Sequence, residues 1–373
     1  MPMTAPFSLE FPYVLGAPSS VALFRTQLDD FQVDEQIDSE PSGEGEHVFL
    51  HLRKKGENTD WLARQIARLA GVKPMDVGYC GLKDRRGVCS QWFSVYLPGP
   101  ASSIEPPRWQ TLNSETVDVL AVSRHQRKLR RGGHRANRFS IRLRKFSSEV
   151  STPVSVTDPT TVSTVSTVST ASTTASTTAP TTAPTTQLTL FEEVEKRLLA
   201  IKRRGVPNYF GEQRFGHGGN NLTLADRYLS GAEPIRDRHR RGLAVSAARA
   251  YLFNLVLAER VRQGIWNRSV EGDVVLHDAS QELPAGPLWG RGRSAAAAAS
   301  LDLENAVLSK WSHWCEALEH KGLKQERRSL VLIPQELQWN WEGGDLWLTF
   351  SLPPGCFATA VLREVCRLVV PMI

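Results

Sequence analysis

Cysteine is scarce in this chain. The five residues, Cys80, Cys89, Cys315, Cys356 and Cys366, are odd in number, widely spaced and without a Cys-x-x-Cys pair. That pattern excludes a disulfide framework and a zinc ribbon and fits a reducing compartment. Histidine is equally uninformative as a ligand: His47 and His217 have no second ligand at metal spacing, so no metal site and no cofactor are expected. No run reaches the ~20 apolar residues that a spanning helix needs. The segment MPMTAPFSLEFPYVL has no basic region followed by a long apolar stretch, which argues against a signal peptide. A soluble, cytoplasmic protein is expected, with no membrane partner. Acidic residues are in mild deficit, 39 against 45 Lys plus Arg, for a net charge of +6. The excess suits a polyanionic partner without demanding one.

One segment lacks almost everything that a core requires. From Ser151 to Thr186 the chain is Ser, Thr, Val, Ala and Pro, with Asp158 as its sole charge and no aromatic residue. It cannot bury enough to offset the entropy of ordering, so it reads as a disordered surface insertion. An added strand of alternating Val and Thr is the rival reading.

The remaining residues are enough for globular cores: 373 in all, 41% hydrophobic. Strands are expected at Val48–Leu52, Val77–Gly81, Gln91–Leu97 and Thr116–Val122. Arg138–Arg144 alternates, with Phe139, Ile141 and Leu143 on one face. A helix over Asp60–Ala70 has Thr59 as N-cap and Gly71 as its stop. After the insertion come a helix over Phe191–Arg203, a Gly/Asn-rich loop over Gly205–Asn221 and a long helix from a Ser246 cap to Val261. Gly264–Ser300 reads as loop. Strands at Leu330–Ile333, Leu337–Trp341 and Leu346–Ser351 follow, the last two joined at Gly343–Gly344, before a helix over Ala358–Val365. Strands and helices without regular alternation indicate an α+β fold.

Three places carry chemical interest. Lys83-Asp84-Arg85-Arg86-Gly87 sets one carboxylate among three cations, and neighbouring positive charge favours the anion that a nucleophile needs. Taken alone, the loop reads as a solvated turn of mixed charge. Arg124–Arg131 is the densest basic run and ends at Gly132-Gly133; it fits a phosphate track and a solvated loop equally well. Arg236–Arg241 has the same ambiguity. Asn137 and Phe139 lie two apart on a strand and share a face, as a stacking ring beside an amide would for a splayed-out base. The plain reading of Phe139, as of Phe31 and Phe357, is core.

Eight strings in order change the balance: DDFQVDE, GEGEH, YCGLKDRRGVCSQW, RHQRKLRRGGHRANRFSIRLR, VPNYFGEQRFGHGGNN, SAARAYLFN, GPLWGRG and LPPGCFATAVLRE. With them the chain resembles the TruD family of tRNA pseudouridine synthases throughout, apart from the Ser/Thr insertion. The resemblance implies a pseudouridine-synthase catalytic domain with a mixed sheet, residues 1–204 and 334–373, interrupted by a TRUD domain at 205–333. It implies that Asp84 is the catalytic nucleophile and that Phe31, Asn137, Phe139 and Phe357 meet the target uridine. Arg25, Lys83, Gln91, Arg127, Lys128, Arg130 and Arg131 would support the site or bind RNA. The implied reaction converts uridine to pseudouridine in tRNA without a cofactor, at uridine 13 of tRNA-Glu-type substrates, by a monomer with no obligatory protein partner. Gly87 and Cys89 stand where the family usually has Ala and Thr or Ser, and the region after GPLWGRG looks shortened. Two other readings compete: an RNA-binding protein without catalysis, which the Asp84 loop argues against, and a metal-dependent nuclease, which the lack of a carboxylate or histidine cluster argues against.

Loop-closure cost grows only logarithmically with length, so a long polar insertion is cheap. Replacing residues 151–186 by a short Gly/Ser link should leave melting temperature and turnover close to those of the full chain. A large loss of tRNA affinity would assign the segment a binding role.

Overall fold

The computed structural model describes residues 7–38, 40–98, 106–148, 183–278 and 281–371. Its first half runs β1 (Val21–Phe24), β2 (Phe31–Gln36), β3 (His47–Lys55), α1 (Thr59–Ala70), β4 (Val77–Tyr79), β5 (Val88–Tyr96), α2 (Pro106–Gln110), β6 (Val117–His125) and β7 (Ala136–Ser147). It continues with α3 (Ala183–Arg204), β8 (Val206–Pro207), α4 (Asn220–Leu229), α5 (Arg238–Arg262), β9 (Val274–Asp278), β10 (Gln281–Leu288), α6 (Ala298–Leu308) and α7 (Ser312–Glu319). The closing elements are β11 (Glu326–Ser329), β12 (Val331–Leu332), β13 (Gln335–Glu342), β14 (Asp345–Leu352), α8 (Ala358–Val365) and β15 (Arg367–Val369). Among the described residues, no helix is long and apolar enough to cross a membrane.

The alternation in β7 makes it the spine of a mixed sheet ordered β13-β14-β7-β2-β5-β3-β6, with β1 and β15 paired beside β7 and β4 beside β5. Phe139, Ile141 and Leu143 point into one core with Val194, Leu198 and Ile201 of α3 and Val361, Leu362 and Val365 of α8. β2 and β5 run parallel, with Gln32 opposite Val88, so both strands begin at the same edge. That places Phe31 next to the loop before β5. β7 then sets Asn137 opposite both Glu35 of β2 and Leu352 of β14. The β13–β14 hairpin turns at Gly343 and Gly344, which take φ of 59° and 86° as the tight turn requires.

A second core is built around α5, gathering Leu252, Phe253, Val256 and Leu257 with Phe215, Leu222 and Trp314; Phe7 joins it from far away in sequence. A third packs Leu62, Ile66 and Ala70 of α1 on Leu50, Leu52, Phe93 and Val95 of β3 and β5.

Several sequence expectations need correction. Asn58 is the N-cap of α1, and Gly71 ends the helix at φ 67°. Thr59 sits inside the helix because its hydroxyl is spent on the site: it donates to Gln91 Oε1 at 3.0 Å and accepts from the Lys83 N–H at 3.0 Å. α5 begins at Arg238, eight residues before Ser246, because Asp237 caps it by accepting from the Arg240 N–H at 2.6 Å. The second basic cluster is therefore a helix start. The supposed loop 264–300 contains β9 and β10 and the start of α6; a buried ion pair between Arg260 and Asp273, shared with the Ser300 hydroxyl, ties these elements to α5. The strand expected at Leu330–Ile333 is the shorter β12, Val331–Leu332, and a separate strand, β11, precedes it at Glu326–Ser329. The loop 205–221 holds β8 and short 3-10 turns and ends as α4 begins. α3 begins at Ala183, within the last residues assigned to the insertion, and its Pro184 falls in the first turn, where proline is tolerated. The rest of the insertion, 151–182, lies outside the described residues; a replacement link should stop before Ala183.

Asn254 of α5 is fully buried and satisfies both backbone groups of Phe210, accepting from its N–H at 2.9 Å and donating to its carbonyl at 3.0 Å. Asn254→Leu leaves both unpaired at a cost of about 2–5 kcal/mol. Urea unfolding should register the loss; an unchanged midpoint would show that the pairing adds nothing.

Candidate active site

The loop between β4 and β5 carries Asp84, and buried polar groups hold it from beneath. Lys54, on β3, is fully buried, so its ammonium must find oxygens. It donates to the carbonyls of Glu57 at 2.7 Å, Asp84 at 2.8 Å and Lys83 at 3.5 Å. Burial pulls its pKa below the usual lysine range, and the Asp84 charge pulls back. Cys89 adds a weak thiol donor to the Asp84 carbonyl at 3.5 Å, the contact a Thr or Ser hydroxyl would make from the same position; burial pushes its own pKa up to about 11. Gln91 donates to the Gly81 carbonyl at 2.5 Å and accepts from Thr59. Lys83 is buried and pairs with Glu35, whose other oxygen accepts from the Trp92 N–H at 3.1 Å. Burial raises the Glu35 pKa while Lys83 opposes the rise. Lys83 and Gln91 thus point inward, as supports of the loop.

Above this base, the Asp84 carboxylate is 40% exposed and lies 3.1 Å from an Arg25 guanidinium nitrogen. Arg25 takes φ 58°, a left-handed conformation that costs a non-glycine residue about 1–2 kcal/mol. The bend folds its side chain over the Phe31 ring, 3.9 Å from the centroid, and onto Asp84. Strain of this kind concentrates at functional sites. Gly87 closes the loop against Phe31: a Cβ there would lie 2.5 Å from the Phe31 carbonyl oxygen.

A cavity of about 530 Å³ opens beside Asp84. That is within the roughly 300–1,000 Å³ of small-ligand clefts. Arg25, Phe31, Lys83, Asp84, Arg131, Asn137, Phe139 and Phe357 all line it. Phe31 and Phe139 are only 2% and 6% exposed, so each is core on one side and cavity wall on the other. Their centroids are 5.9 Å apart, and Phe139 stacks on Phe350 at 5.5 Å. Phe357, half-buried at the start of α8, supplies the wall from the other core.

Four cavity features were not read from the sequence: Lys54 beneath the loop, and His134, Arg214 and Thr359 in the wall. His134 is buried and its Nε2 lies 2.9 Å from Asn137 Nδ2, leaving Asn137 Oδ1 without a partner. Burial, with help from the Lys83 charge, lowers the His134 pKa to about 4. Its place three residues before Asn137 was the available signal.

The basic run divides by function. Arg124 is buried and donates to the Gly45 and Leu97 carbonyls, at 2.7 and 3.1 Å. Arg127, Lys128, Arg130 and Arg131 are exposed. Lys128 donates to the Met75 carbonyl, and Arg131 lies over Tyr79 and reaches the cavity.

A mixed sheet presenting an aspartate loop to a base-sized cavity with aromatic walls defines the class: a pseudouridine-synthase fold. The family model for tRNA pseudouridine synthase D matches residues 10–167 and 278–365. The chain is 47% identical to tRNA pseudouridine synthase D of Cellvibrio japonicus over 99% of this chain and 96% of the relative. It is 43% identical to that of Nitrosococcus oceani, over 94% and 92%. A solved structure described as a TruD protein from Methanosarcina mazei superposes with a TM-score of 0.62 at 19% identity, covering 95% of both chains. The chain belongs to the TruD family of tRNA pseudouridine synthases.

The His134 value predicts a pH signature. Because an ordinary imidazole titrates near 6.5 and His134 near 4, the unfolded chain takes the proton first as pH falls. Stability from this source is intact above pH 6.5 and is lost down to about pH 4. His134→Gln removes the component, so urea unfolding at pH 7 and pH 5 should show a smaller loss for the variant than for the wild type. Equal losses would mean that the imidazole is free to protonate in the fold.

Proposed function

We propose that this protein isomerises uridine to pseudouridine at position 13 of tRNAs of the tRNA-Glu type, with Asp84 as the nucleophile. The observation that carries the reading is the Asp84 carboxylate, oriented by Arg25 at 3.1 Å at the edge of a cavity lined by Phe31, Asn137, Phe139 and Phe357. A uridine stacked in a helix cannot be reached, so the target base must be extruded into the cavity. Stacking on aromatic walls contributes about 1–3 kcal/mol per base toward that extrusion. The unpaired Asn137 Oδ1 is an acceptor suited to a uracil N–H.

The reaction breaks the bond between the sugar C1′ and N1, turns the base and joins C1′ to C5. The proton that leaves C5 is balanced by one gained at N1, so no oxidant, cofactor or second substrate enters. Asp84 adds to the nucleotide as the bond to N1 is given up and is expelled again, its carboxylate restored, when C1′ joins C5; Arg25 holds that carboxylate in place before attack. The pinned backbone of Lys83 and Asp84 keeps the nucleophile from recoiling, which is what effective catalysis by proximity requires. Residues 205–333 form one side of the RNA cleft, and 1–204 with 334–373 the other. The exposed cations Arg127, Lys128, Arg130 and Arg131 lead from the cavity along the tRNA backbone. The enzyme acts as a cytoplasmic monomer.

Asp84→Asn keeps the shape of the side chain and removes its nucleophilicity. Tritium release from C5-labelled uridine in tRNA should fall on the order of 10³-fold or more, with the Kd for tRNA unchanged within a few-fold. Comparable turnover by the variant would remove Asp84 from the mechanism. Mapping pseudouridine in cellular tRNA with and without the gene tests position 13 separately.

A further inference from the structure

The cations around the cavity are not equally provided for. Arg25 is paired with Asp84 and Lys83 with Glu35. Arg131 is exposed over Tyr79. Arg214 is different. It lines the same cavity, yet among the described residues it has no carboxylate partner. Its Nη1 donates to the Ser246 hydroxyl at 3.0 Å, and its Nε is buried with no acceptor. The guanidinium lies beside Phe210 and Phe357, 5.5 and 5.7 Å from the ring centroids, so it sits against apolar walls. Burial holds its pKa below the ordinary arginine range.

A second buried guanidinium, Arg328, reinforces the positive field. It lies 4.2 Å from the Phe210 centroid and donates to neutral acceptors, the Gly355 carbonyl at 3.0 Å and Asn208 Oδ1 at 2.6 Å. Burial lowers its pKa, and the Arg214 charge adds to the lowering. On the wall of the same cavity, Thr359 holds a buried hydroxyl that has no hydrogen-bond partner among the described residues. A partly desolvated guanidinium with a single hydrogen bond among the described residues is suited to an anion, and its planar fork fits phosphate.

We infer that Arg214, assisted by the Thr359 hydroxyl, grips a phosphodiester adjoining the nucleotide whose base enters the cavity. The inference rests on the reading of the cavity as a uridine site. A nucleotide inserted there necessarily brings a phosphodiester on each side of its ribose to the rim. Arg214 then acts in register: with one phosphate held, the sugar carbon is set at a fixed distance from Asp84, and the base is kept from sliding back into the stack.

Substrate RNAs in which the phosphate on the 5′ or the 3′ side of the target uridine is replaced by an uncharged methylphosphonate test this directly. With the wild-type protein, one of the two replacements should lower kcat/KM at least tenfold and the other much less. Arg214→Gln should lower kcat/KM on the native RNA by a similar factor, and the sensitive methylphosphonate should then cost it little more. Arg214→Lys should recover part of the loss, because charge returns without the fork. The inference is overturned if neither replacement affects the wild type, a result that needs no variant to fold. It is equally overturned if the losses from the variant and from the sensitive replacement multiply in full. The Kd of each RNA is measured in parallel. A wild-type protein that forms no pseudouridine but discriminates the same phosphate in binding would sink the reading of the reaction and leave the phosphate site standing.

Discussion

The site depends on one buried ammonium. Lys54 has no access to water, so its charge has to be met by oxygens inside the fold, and it meets the carbonyls of Glu57, Lys83 and Asp84. A buried cation that recruits backbone carbonyls fixes the path of the chain that carries them. The loop before β5 is therefore held at its base while the Asp84 side chain projects from its top. Cys89, Gln91 and Thr59 close the remaining hydrogen bonds of the same loop. Without this anchoring, a five-residue charged turn would sample many conformations, and a carboxylate at its tip would have no fixed address.

The second constraint is charge pairing around the cavity. Arg25 is strained into the left-handed region to reach both Phe31 and Asp84, and Lys83 is turned inward to Glu35. These contacts spend the positive charge nearest Asp84 on pairing within the fold. The cations with unspent charge, Arg131 at the entrance and Arg214 in the wall, are those a polyanion would meet. The cavity is in this sense electrostatically divided, with paired charges at Asp84 and Lys83 and cations without a carboxylate partner, among the described residues, at Arg131 and Arg214.

The aromatic residues show why core and site are not alternatives. Phe31 and Phe139 are buried among Ile141, Leu143 and Phe350, and the same rings face the cavity. Phe357 does the same for the core around α5, where it packs with Phe210. The cavity is a seam between two cores, and its walls are rigid because the rings that line it are packed from behind.

Some of this was legible in the sequence. Arg138–Arg144 alternates so regularly that only a strand buries it well, and β7 is that strand; α8 begins and ends where its apolar spacing does; Gly71 stops α1. The ordered strings around Asp84, Asn137 and Phe357 marked the residues that the fold brings to one cavity. Local pattern misplaced the rest. β9 and β10 owe their existence to β10 pairing with β9 on one side and β11 on the other, and to the Arg260–Asp273 pair, so no local period announced them. The basic run at Arg236–Arg241 looks like a loop until Asp237 caps it into α5. Above all, Lys54, His134 and Arg214 are ordinary polar residues in the sequence. Their roles are set by what surrounds them: carbonyls from a loop thirty residues away for Lys54, an amide and a buried wall for His134, two aromatic rings and, among the described residues, no carboxylate for Arg214. Residue type and spacing determined which side chains were capable of chemistry; burial, which is a property of the whole fold, decided which of them had their charge satisfied and which were left facing the cavity.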